Sequence, residues 1–189
     1  MVARSSSSQN AIVLVSGGID STACLHFFQK SGFNTSGLFI DYGQAARARE
    51  KRAVNAITSL LGVRTATIRI GGLPHSSTGE LRGRNSLLVS AALFASKAGP
   101  CVLGLGIHSG TAYFDCSQTF VKLINALLRE QTDGQVSLLA PFVGWLKRDV
   151  YDYAISERLP IEMTYSCEAG TNPTCGICTS CRDRRALGC

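Results

Sequence analysis

Residues Ile12-Val13-Leu14-Val15-Ser16-Gly17-Gly18-Ile19-Asp20-Ser21-Thr22 decide the interpretation of the whole chain. The apolar run at the start predicts a buried strand, and Asp20-Ser21-Thr22 leads into an apolar pattern with helical spacing. Gly17 and Gly18 permit the tight turn that joins the two elements. Backbone N–H groups of such a turn and of the helix N-terminus point at one place, which favours a bound phosphate. A plain strand-to-helix turn of an α/β protein is the alternative explanation.

Hydroxyl groups surround this turn. Ser16, Ser21 and Thr22 would add donors to the concavity, and Asp20 is placed to cap the helix. The turn lacks the Gly-Lys-Ser/Thr of a Walker A loop, and it is not a GxGxxG loop. The residues alone therefore predict a phosphate site of another type.

Short apolar strands alternate with helical segments through the rest of the chain. The predicted helices are residues 21–31, 45–61, 85–97, 120–128 and 148–157, the third capped by Asn85 and Ser86. The predicted strands after the first are residues 35–40, 63–70, 101–105 and 136–140. This alternation is typical of parallel βαβ units. We expect an α/β fold, a five-stranded parallel sheet with flanking helices.

Ligands of open parallel sheets bind at the carboxyl ends of the strands. In this chain, those ends carry Ser16–Ser21, Asp41–Gln44, Arg84–Asn85 and Gly106–Asp115. Residues 71–84 lack periodicity and are rich in glycine and serine, which predicts a mobile loop beside the same edge. The four segments are therefore expected to surround one site.

The composition is typical of a folded globular protein. Of the 189 residues, 45% are hydrophobic and 17% are charged, which excludes a disordered chain. No apolar run approaches the length of a membrane span, and residues 1–10 predict a disordered tail and no signal peptide. We therefore expect a cytoplasmic protein. The net charge of +6 is compatible with anionic small molecules or nucleic acid.

Basic residues cluster in two predicted helical segments, Arg47–Arg52 and Arg182–Arg185. A solvated helix face is the simplest interpretation of each cluster. Aromatic residues do not interleave with them, so the pattern does not predict a nucleic-acid surface. Small-molecule substrates are the expected partners.

Four cysteines near the C-terminus have the spacing of metal ligands: Cys167, Cys175, Cys178 and Cys181. Their thiolates can close tetrahedrally on one zinc ion, although an iron–sulfur cluster or disulfides also use such patterns. A closed zinc site would stabilise a small appendage, predicted over residues 161–189 after an α/β domain of residues 11–160. Cys24 and Cys101 lie in apolar patterns and are expected to be buried.

The segment Ser16-Gly-Gly-Ile-Asp-Ser21 resembles the SGGxDS pyrophosphate loop of the PP-loop N-type ATP pyrophosphatase superfamily. The resemblance implies an adenine-nucleotide alpha-hydrolase-like sheet. It also implies that ATP is held by its phosphates and used to activate a carboxylate, amide or carbonyl oxygen as an adenylate. The loop by itself leaves the substrate open.

Together with further motifs across residues 11–187, this loop makes the chain similar to the 7-cyano-7-deazaguanine synthase family. The motifs are Ser16–Thr22, Asp41–Gln44, Gly83–Asn85, Tyr113–Cys116 and the cysteine-rich segment from Thr164 to Arg182. The family uses ATP to convert 7-carboxy-7-deazaguanine and ammonia, through an adenylated acid and an amide, into the nitrile precursor of queuosine. The resemblance implies a carbon–nitrogen ligase that uses ATP and Mg²⁺, contains structural zinc and forms a homodimer.

The resemblance also assigns roles to individual residues. Those implied to bind ATP are Ser16, Gly17, Gly18, Asp20, Ser21, Thr22, Asp41, Gln44 and Lys147. Those implied to border the deazapurine acid are Arg84, Asn85, His108, Tyr113 and Asp115. The implied catalytic residues are Asp20, Lys147 and Asp115. The implied zinc ligands are Cys167, Cys175, Cys178 and Cys181.

The chain departs from the family pattern near the acceptor site. The segment before Arg84 and the loop from Ile107 to Tyr113 are shortened, and Ala45-Ala46 replaces a basic pair. Three alternatives therefore remain. They are a PP-loop tRNA thiolase with redox cysteines, a diverged enzyme that joins a deazapurine acid to another amine, and a zinc module that binds nucleic acid through Arg182–Arg185.

Overall fold

The computed structural model describes residues 9–72, 81–96 and 99–189. Residues 1–8 of the predicted tail, most of the predicted loop 71–84 and Lys97 lie outside the described residues. Asn10, the last residue of the predicted tail, already belongs to the first strand.

Strands and helices alternate as the sequence predicts. The strands are β1 (Asn10–Leu14), β2 (Asn34–Asp41), β3 (Thr65–Arg69), β4 (Cys101–Gly104) and β5 (Val136–Leu139). The α-helices are α1 (Ile19–Lys30), α2 (Arg47–Leu60), α3 (Arg84–Ala95), α4 (Gln118–Thr132), α5 (Lys147–Ser156) and α6 (Thr179–Leu187). Short 3₁₀ turns cover Phe114–Cys116 and Ile161–Met163. Among the described helices, none combines the length and apolar character that crossing a membrane requires.

Within the described residues, five parallel strands form one sheet in the order β3-β2-β1-β4-β5. Leu14 of β1 pairs with Leu38 of β2, and Val13 pairs with Gly104 of β4 on the other side. The strand order reverses between β1 and β4, because β2 and β3 lie on one side of β1 while β4 and β5 lie on the other. This reversal creates a crevice at the carboxyl ends of the strands.

Both faces of the sheet are buried. Val13 belongs to one hydrophobic cluster, with Phe28 of α1 and Val150 of α5. Leu14, which points to the opposite face, belongs to a second cluster with Val89 of α3. Such double burial explains why β1 is a continuous apolar run instead of an alternating pattern. Cys24 and Cys101 are buried, as predicted.

Two predicted helix caps are wrong. Asp20 lies in the first turn of α1, whose N-cap is Gly18. Asn85 lies in the first turn of α3, whose N-cap is Gly83 with φ of 76°, a conformation that glycine adopts without strain. Both side chains instead contact residues of other elements: Asp20 contacts Lys147, and Asn85 contacts Asp115.

Candidate active site

The turn between β1 and α1 is stabilised by its own hydroxyl groups. Ser21 Oγ donates to the Gly18 carbonyl at 3.0 Å and accepts from the Ser16 N–H at 3.2 Å. Thr22 Oγ1 donates to the same carbonyl at 2.9 Å. These two hydroxyls therefore hold the turn, which leaves the N-terminus of α1 and the exposed Ser16 facing outward for an anion.

Gly17 fixes the position of this turn. Its φ is 78°, and an added Cβ would lie 2.8 Å from Ala53 Cβ and 2.9 Å from the Glu50 carbonyl oxygen. Its own carbonyl accepts the Tyr165 N–H at 2.8 Å. The turn is thereby packed between α2 and the C-terminal segment.

We expect Gly17→Ala to lower the free energy of unfolding by roughly 2 to 4 kcal/mol, because positive φ and the clash with α2 both destabilise alanine there. Urea unfolding of the purified variants measures this change. Gly71→Ala is the matched control, since a Cβ at Gly71 meets nothing within 4 Å. Its unfolding free energy should stay within about 0.5 kcal/mol of the parent. Equal stability of the two variants would contradict the packing described for Gly17.

An ion pair joins the first turns of α1 and α5. Lys147 Nζ donates to Asp20 Oδ1 at 2.7 Å and to Asp20 Oδ2 at 2.6 Å. About three quarters of each side chain is buried, since 24% of Lys147 and 26% of Asp20 is exposed. The end of β4 approaches the same turn so closely that a Cβ at Gly106 would lie 2.6 Å from the Asp20 carbonyl oxygen. Residues distant in sequence thus place a cation beside the turn between β1 and α1 (Val15–Gly18), which is called the phosphate turn after its predicted ligand.

His108 lies beside this ion pair and is 7% exposed. Its Nδ1 accepts the Gly110 N–H at 3.0 Å, and its Nε2 is 3.9 Å from Asp20 Oδ2. Burial is the largest influence on the His108 pKa and lowers it from its ordinary value. Asp20 opposes this shift, and the charge of Lys147 adds to it.

Asn85 and Asp115 form a buried hydrogen-bonded pair at the start of α3. The Asn85 N–H donates to Asp115 Oδ2 at 3.1 Å, and Asn85 Nδ2 donates to the Asp115 carbonyl at 2.9 Å. Burial is the main influence on the pKa of the neighbouring Cys116 thiol and raises it, which disfavours the reactive thiolate. This arrangement fixes the start of α3, of which Arg84 is the first residue.

The end of β2 is held by Gln44, which is buried. Gln44 Oε1 accepts the Tyr42 N–H at 3.0 Å, and Nε2 donates to Glu50 Oε2 at 2.8 Å. Burial raises the pKa of Glu50, against the hydrogen bond from Gln44 and the charge of Arg84. Asp41, by contrast, accepts the Gly43 N–H at 3.1 Å. Sequence reasoning missed Glu50, because no local pattern sets it apart from other helix-surface carboxylates.

These elements enclose a cavity of about 300 Å³ at the strand-order reversal. Ten of the residues implied by the resemblance line it: Ser16, Gly18, Asp20, Ser21, Gln44, Arg84, Asn85, His108, Tyr113 and Lys147. Four others are not in its lining: Gly17, Thr22, Asp41 and Asp115. The size is at the lower end for a small-molecule site. One cavity thus joins the phosphate turn, the Asp20–Lys147 pair and Arg84.

The C-terminal segment supplies a further wall of this cavity, which the sequence did not indicate. The wall residues are Tyr165, Ser166, Glu168, Thr179, Ser180, Asp183 and Arg184. Glu168 Oε1 accepts from Ser180 Oγ at 3.0 Å. The solvated face predicted for Arg184 is wrong, because its guanidinium donates to Thr164 Oγ1 at 2.7 Å and to the Ile161 carbonyl at 3.3 Å. The motif from Thr164 to Arg182 pointed only to metal binding, because the contact between Tyr165 and Gly17 joins residues far apart in sequence.

The four predicted metal ligands converge behind this wall. The sulfurs of Cys167, Cys175, Cys178 and Cys181 all lie within 4.8 Å of one another. Tetrahedral zinc with Zn–S bonds of about 2.3 Å spaces its sulfurs by about 3.8 Å, and Cys175 Sγ is 3.9 Å from Cys181 Sγ. The thiol set therefore fits a metal ion.

Backbone N–H groups also point at these sulfurs. The Cys175 N–H donates to Cys167 Sγ at 3.3 Å, and the Cys178 N–H donates to Cys175 Sγ at 3.4 Å. Burial raises the pKa of Cys167, but N–H and hydroxyl donors from Cys175 and Thr171 outweigh it and lower the pKa to about 5. Donors of this kind stabilise the thiolates that a metal requires.

The comparisons with known proteins show to which family the chain belongs. A family model described as "Queuosine biosynthesis protein QueC" matches residues 10–81 and 76–187. The chain belongs to this family. A QueC relative, the 7-cyano-7-deazaguanine synthase of Campylobacter concisus (strain 13826), is 30% identical over 93% of this chain and 92% of its own length. The synthase of the same name from Synechococcus sp. (strain CC9311) is 30% identical over 92% and 90%.

A solved structure of another protein shows the same fold. It is a predicted subunit of a tRNA methyltransferase from Methanocaldococcus jannaschii, with a TM-score of 0.50 and 15% identity over 78% of this chain and 74% of that chain. The likeness concerns the fold alone. Membership in QueC, with synthases as relatives, makes this chain an enzyme of queuosine biosynthesis.

Proposed function

We propose that the chain is an ATP-dependent ligase that converts 7-carboxy-7-deazaguanine and ammonia to 7-cyano-7-deazaguanine. The relatives named 7-cyano-7-deazaguanine synthase support the product of this reaction. The observation that carries the proposal is the single cavity that brings the phosphate turn and Lys147 together with Arg84. An acid and the α-phosphate of ATP can meet there.

A carboxylate does not react with ammonia until one of its oxygens becomes a good leaving group. In the proposed reaction, a carboxylate oxygen attacks the α-phosphorus of ATP, which enters as its Mg²⁺ complex, and pyrophosphate leaves. Ammonia then displaces AMP and loses a proton, which gives the amide. The amide oxygen is adenylated by a second ATP with release of pyrophosphate, and loss of AMP and of both amide protons leaves the nitrile.

The cavity residues have distinct parts in this scheme. The N-terminus of α1 and Ser16 bind the phosphates, and Lys147 balances the charge of the departing pyrophosphate. Asp20 positions Lys147 through the ion pair. Arg84 binds the acid, while Asp115 lies outside the cavity lining and holds Asn85 in place. The ion pair preorganises Lys147, and the hydrogen bonds between Asn85 and Asp115 preorganise Asn85.

The proposal also covers the organisation of the chain. Residues 11–160, together with Asn10 at the start of β1, form the ATP-binding domain, and residues 161–189 form an appendage whose four thiolates hold zinc. Zinc would supply structural cross-linking and no open ligand position for chemistry. The appendage also completes the active site, since Tyr165 bonds to Gly17. We propose a cytoplasmic homodimer, following the family.

Purified protein incubated with 7-carboxy-7-deazaguanine, ammonium and MgATP tests the proposed activity. We expect the nitrile by mass spectrometry, with two AMP and two pyrophosphate released for each nitrile. Omission of the acid should abolish AMP release. Formation of an adenylate or amide alone, or of a conjugate when another amine is added, would contradict nitrile synthesis. AMP release that requires tRNA and a sulfur donor would contradict it in favour of a thiolase.

A further inference from the structure

The loop after β4 fixes the protonation pattern of His108. The Gly110 N–H donates to Nδ1 at 3.0 Å, so Nδ1 is the unprotonated nitrogen of the ring. A neutral imidazole then carries its proton on Nε2, which is a donor. Ser109, which lies between His108 and Gly110, holds the loop that carries this contact, because its N–H and its Oγ both donate to the Trp145 carbonyl, at 2.9 and 2.6 Å.

The Nε2–H group faces the cavity. His108 is 7% exposed and belongs to the cavity lining. Within the described residues, the nearest carboxylate oxygen to Nε2 is Asp20 Oδ2 at 3.9 Å, which is too far for a hydrogen bond. Asp20 instead makes its two short contacts with Lys147. The donor is therefore available to a molecule bound in the cavity.

Three charged groups on neighbouring helices surround the ring. Asp20 of α1 and Asp183 of α6 favour the imidazolium, whereas Lys147 of α5 disfavours it. Burial is the largest influence and lowers the pKa of His108, so the ring is neutral at pH 7 and above. A neutral ring has a structural consequence: it does not compete with Lys147 for the Asp20 carboxylate.

We propose that His108 is a catalytic residue that donates a hydrogen bond from Nε2–H to an oxyanion of the reacting complex, either the acid's carboxylate or the α-phosphate. This inference rests on the proposed adenylation. A neutral donor stabilises charge that develops on the oxygen during the reaction. It leaves the Asp20–Lys147 pair intact, which an imidazolium at the same place would disturb.

Gly110 positions this donor. A Cβ on Gly110 would lie 2.9 Å from His108 Nδ1 and 3.1 Å from Cε1, so a side chain there displaces the ring or breaks the N–H contact. Gly144 offers a matched control in a nearby turn. A Cβ on Gly144 meets its nearest atom, Gln118 Nε2, at 3.6 Å, which is an ordinary contact.

The tautomer is testable without any activity. Protein labelled with ¹⁵N-histidine contains three imidazoles, and the His108→Gln variant identifies the signals that belong to His108. At pH 7.5 we expect an unprotonated Nδ1 and a protonated Nε2. In Gly110→Ala that pattern should be lost, and in Gly144→Ala it should persist. A protonated Nδ1 in the parent, or an imidazolium, would overturn the inference.

Kinetics with the deazapurine acid and MgATP test the role. His108→Ala should lower kcat/KM about 100-fold, and His108→Gln, whose amide keeps an N–H donor, should recover part of the loss. A weakened Kd for ATP would place the donor on the phosphate, and a raised KM for the acid alone would place it on the carboxylate; either supports the role. Parent-like kcat/KM in His108→Ala would overturn it.

The two proposals fail separately. A parent enzyme that never releases AMP with the deazapurine acid refutes the proposed function. In that case, the ¹⁵N pattern still decides whether Nε2 is a donor. The Kd for ATP, compared between the parent and His108→Ala, still decides whether Nε2 contacts phosphate. Conversely, an active parent whose activity is unaffected by His108→Ala and Gly110→Ala refutes the role of His108 alone.

Discussion

Lys147→Ala is expected to lower kcat for acid-dependent AMP release about 100- to 1,000-fold, the range typical of losing a preorganised group that stabilises transition-state charge. Lys147 is the first residue of α5 and reaches the phosphate turn through its pair with Asp20. Its charge therefore lies where pyrophosphate would depart. Steady-state assays at saturating ATP measure the change.

The matched control is Lys122→Ala. Lys122 is exposed on α4 and outside the cavity lining, so its removal should leave kcat within about twofold, as expected of an isolated surface substitution. Asp20→Asn keeps the shape of the side chain and removes the charge that holds Lys147. Its kcat should lie between those of Lys147→Ala and Lys122→Ala. Lys147→Ala with the kcat of Lys122→Ala would show that the ammonium has no part in the reaction.

Local patterns were sufficient to predict the sheet and the tight turn between β1 and α1. A strand buried on both faces has a continuous apolar run, and the β1 run leads directly into Gly17 and Gly18. Burial and turn chemistry act between neighbours along the chain, so such elements can be predicted with no knowledge of the rest. The position of strand ends already placed Arg84 near the turn. The family resemblance added Lys147, which no local pattern would have joined to the turn.

The errors concern side chains whose partners are remote in sequence. Asn85 is of a residue type favoured at helix caps. Its side-chain amide nevertheless donates to the Asp115 carbonyl, thirty residues away. Arg184 is part of a basic run, yet its guanidinium holds Thr164 and Ile161. In each case a buried partner provides more stabilisation than the local role, because an unsatisfied buried polar group is costly. Only the fold determines which partner is near.

Removal of a cluster thiol is the change with the largest expected effect on structure. Binding of a structural zinc ion contributes about 10 to 16 kcal/mol to the fold of its site. Cys178→Ala should therefore lose zinc and unfold the segment around α6. This segment forms part of the cavity wall and is held there by the Tyr165–Gly17 hydrogen bond and by the contacts of Arg184. Acid-dependent AMP release should fall below about one hundredth of the parent, as when a catalytic site is disassembled.

Metal analysis, hydrogen exchange and the AMP assay together separate this effect from a general loss of folding. In Cys178→Ala, the Tyr165 amide should exchange rapidly, whereas amides of β1 should keep their protection, because the sheet has its own two hydrophobic clusters. Cys189→Ala is the control, since Cys189 is exposed and lies outside the thiol cluster. It should retain one zinc per chain and full activity. Iron in the parent would contradict zinc as the bound metal, and an active, zinc-free Cys178→Ala would show that the cavity does not depend on the appendage.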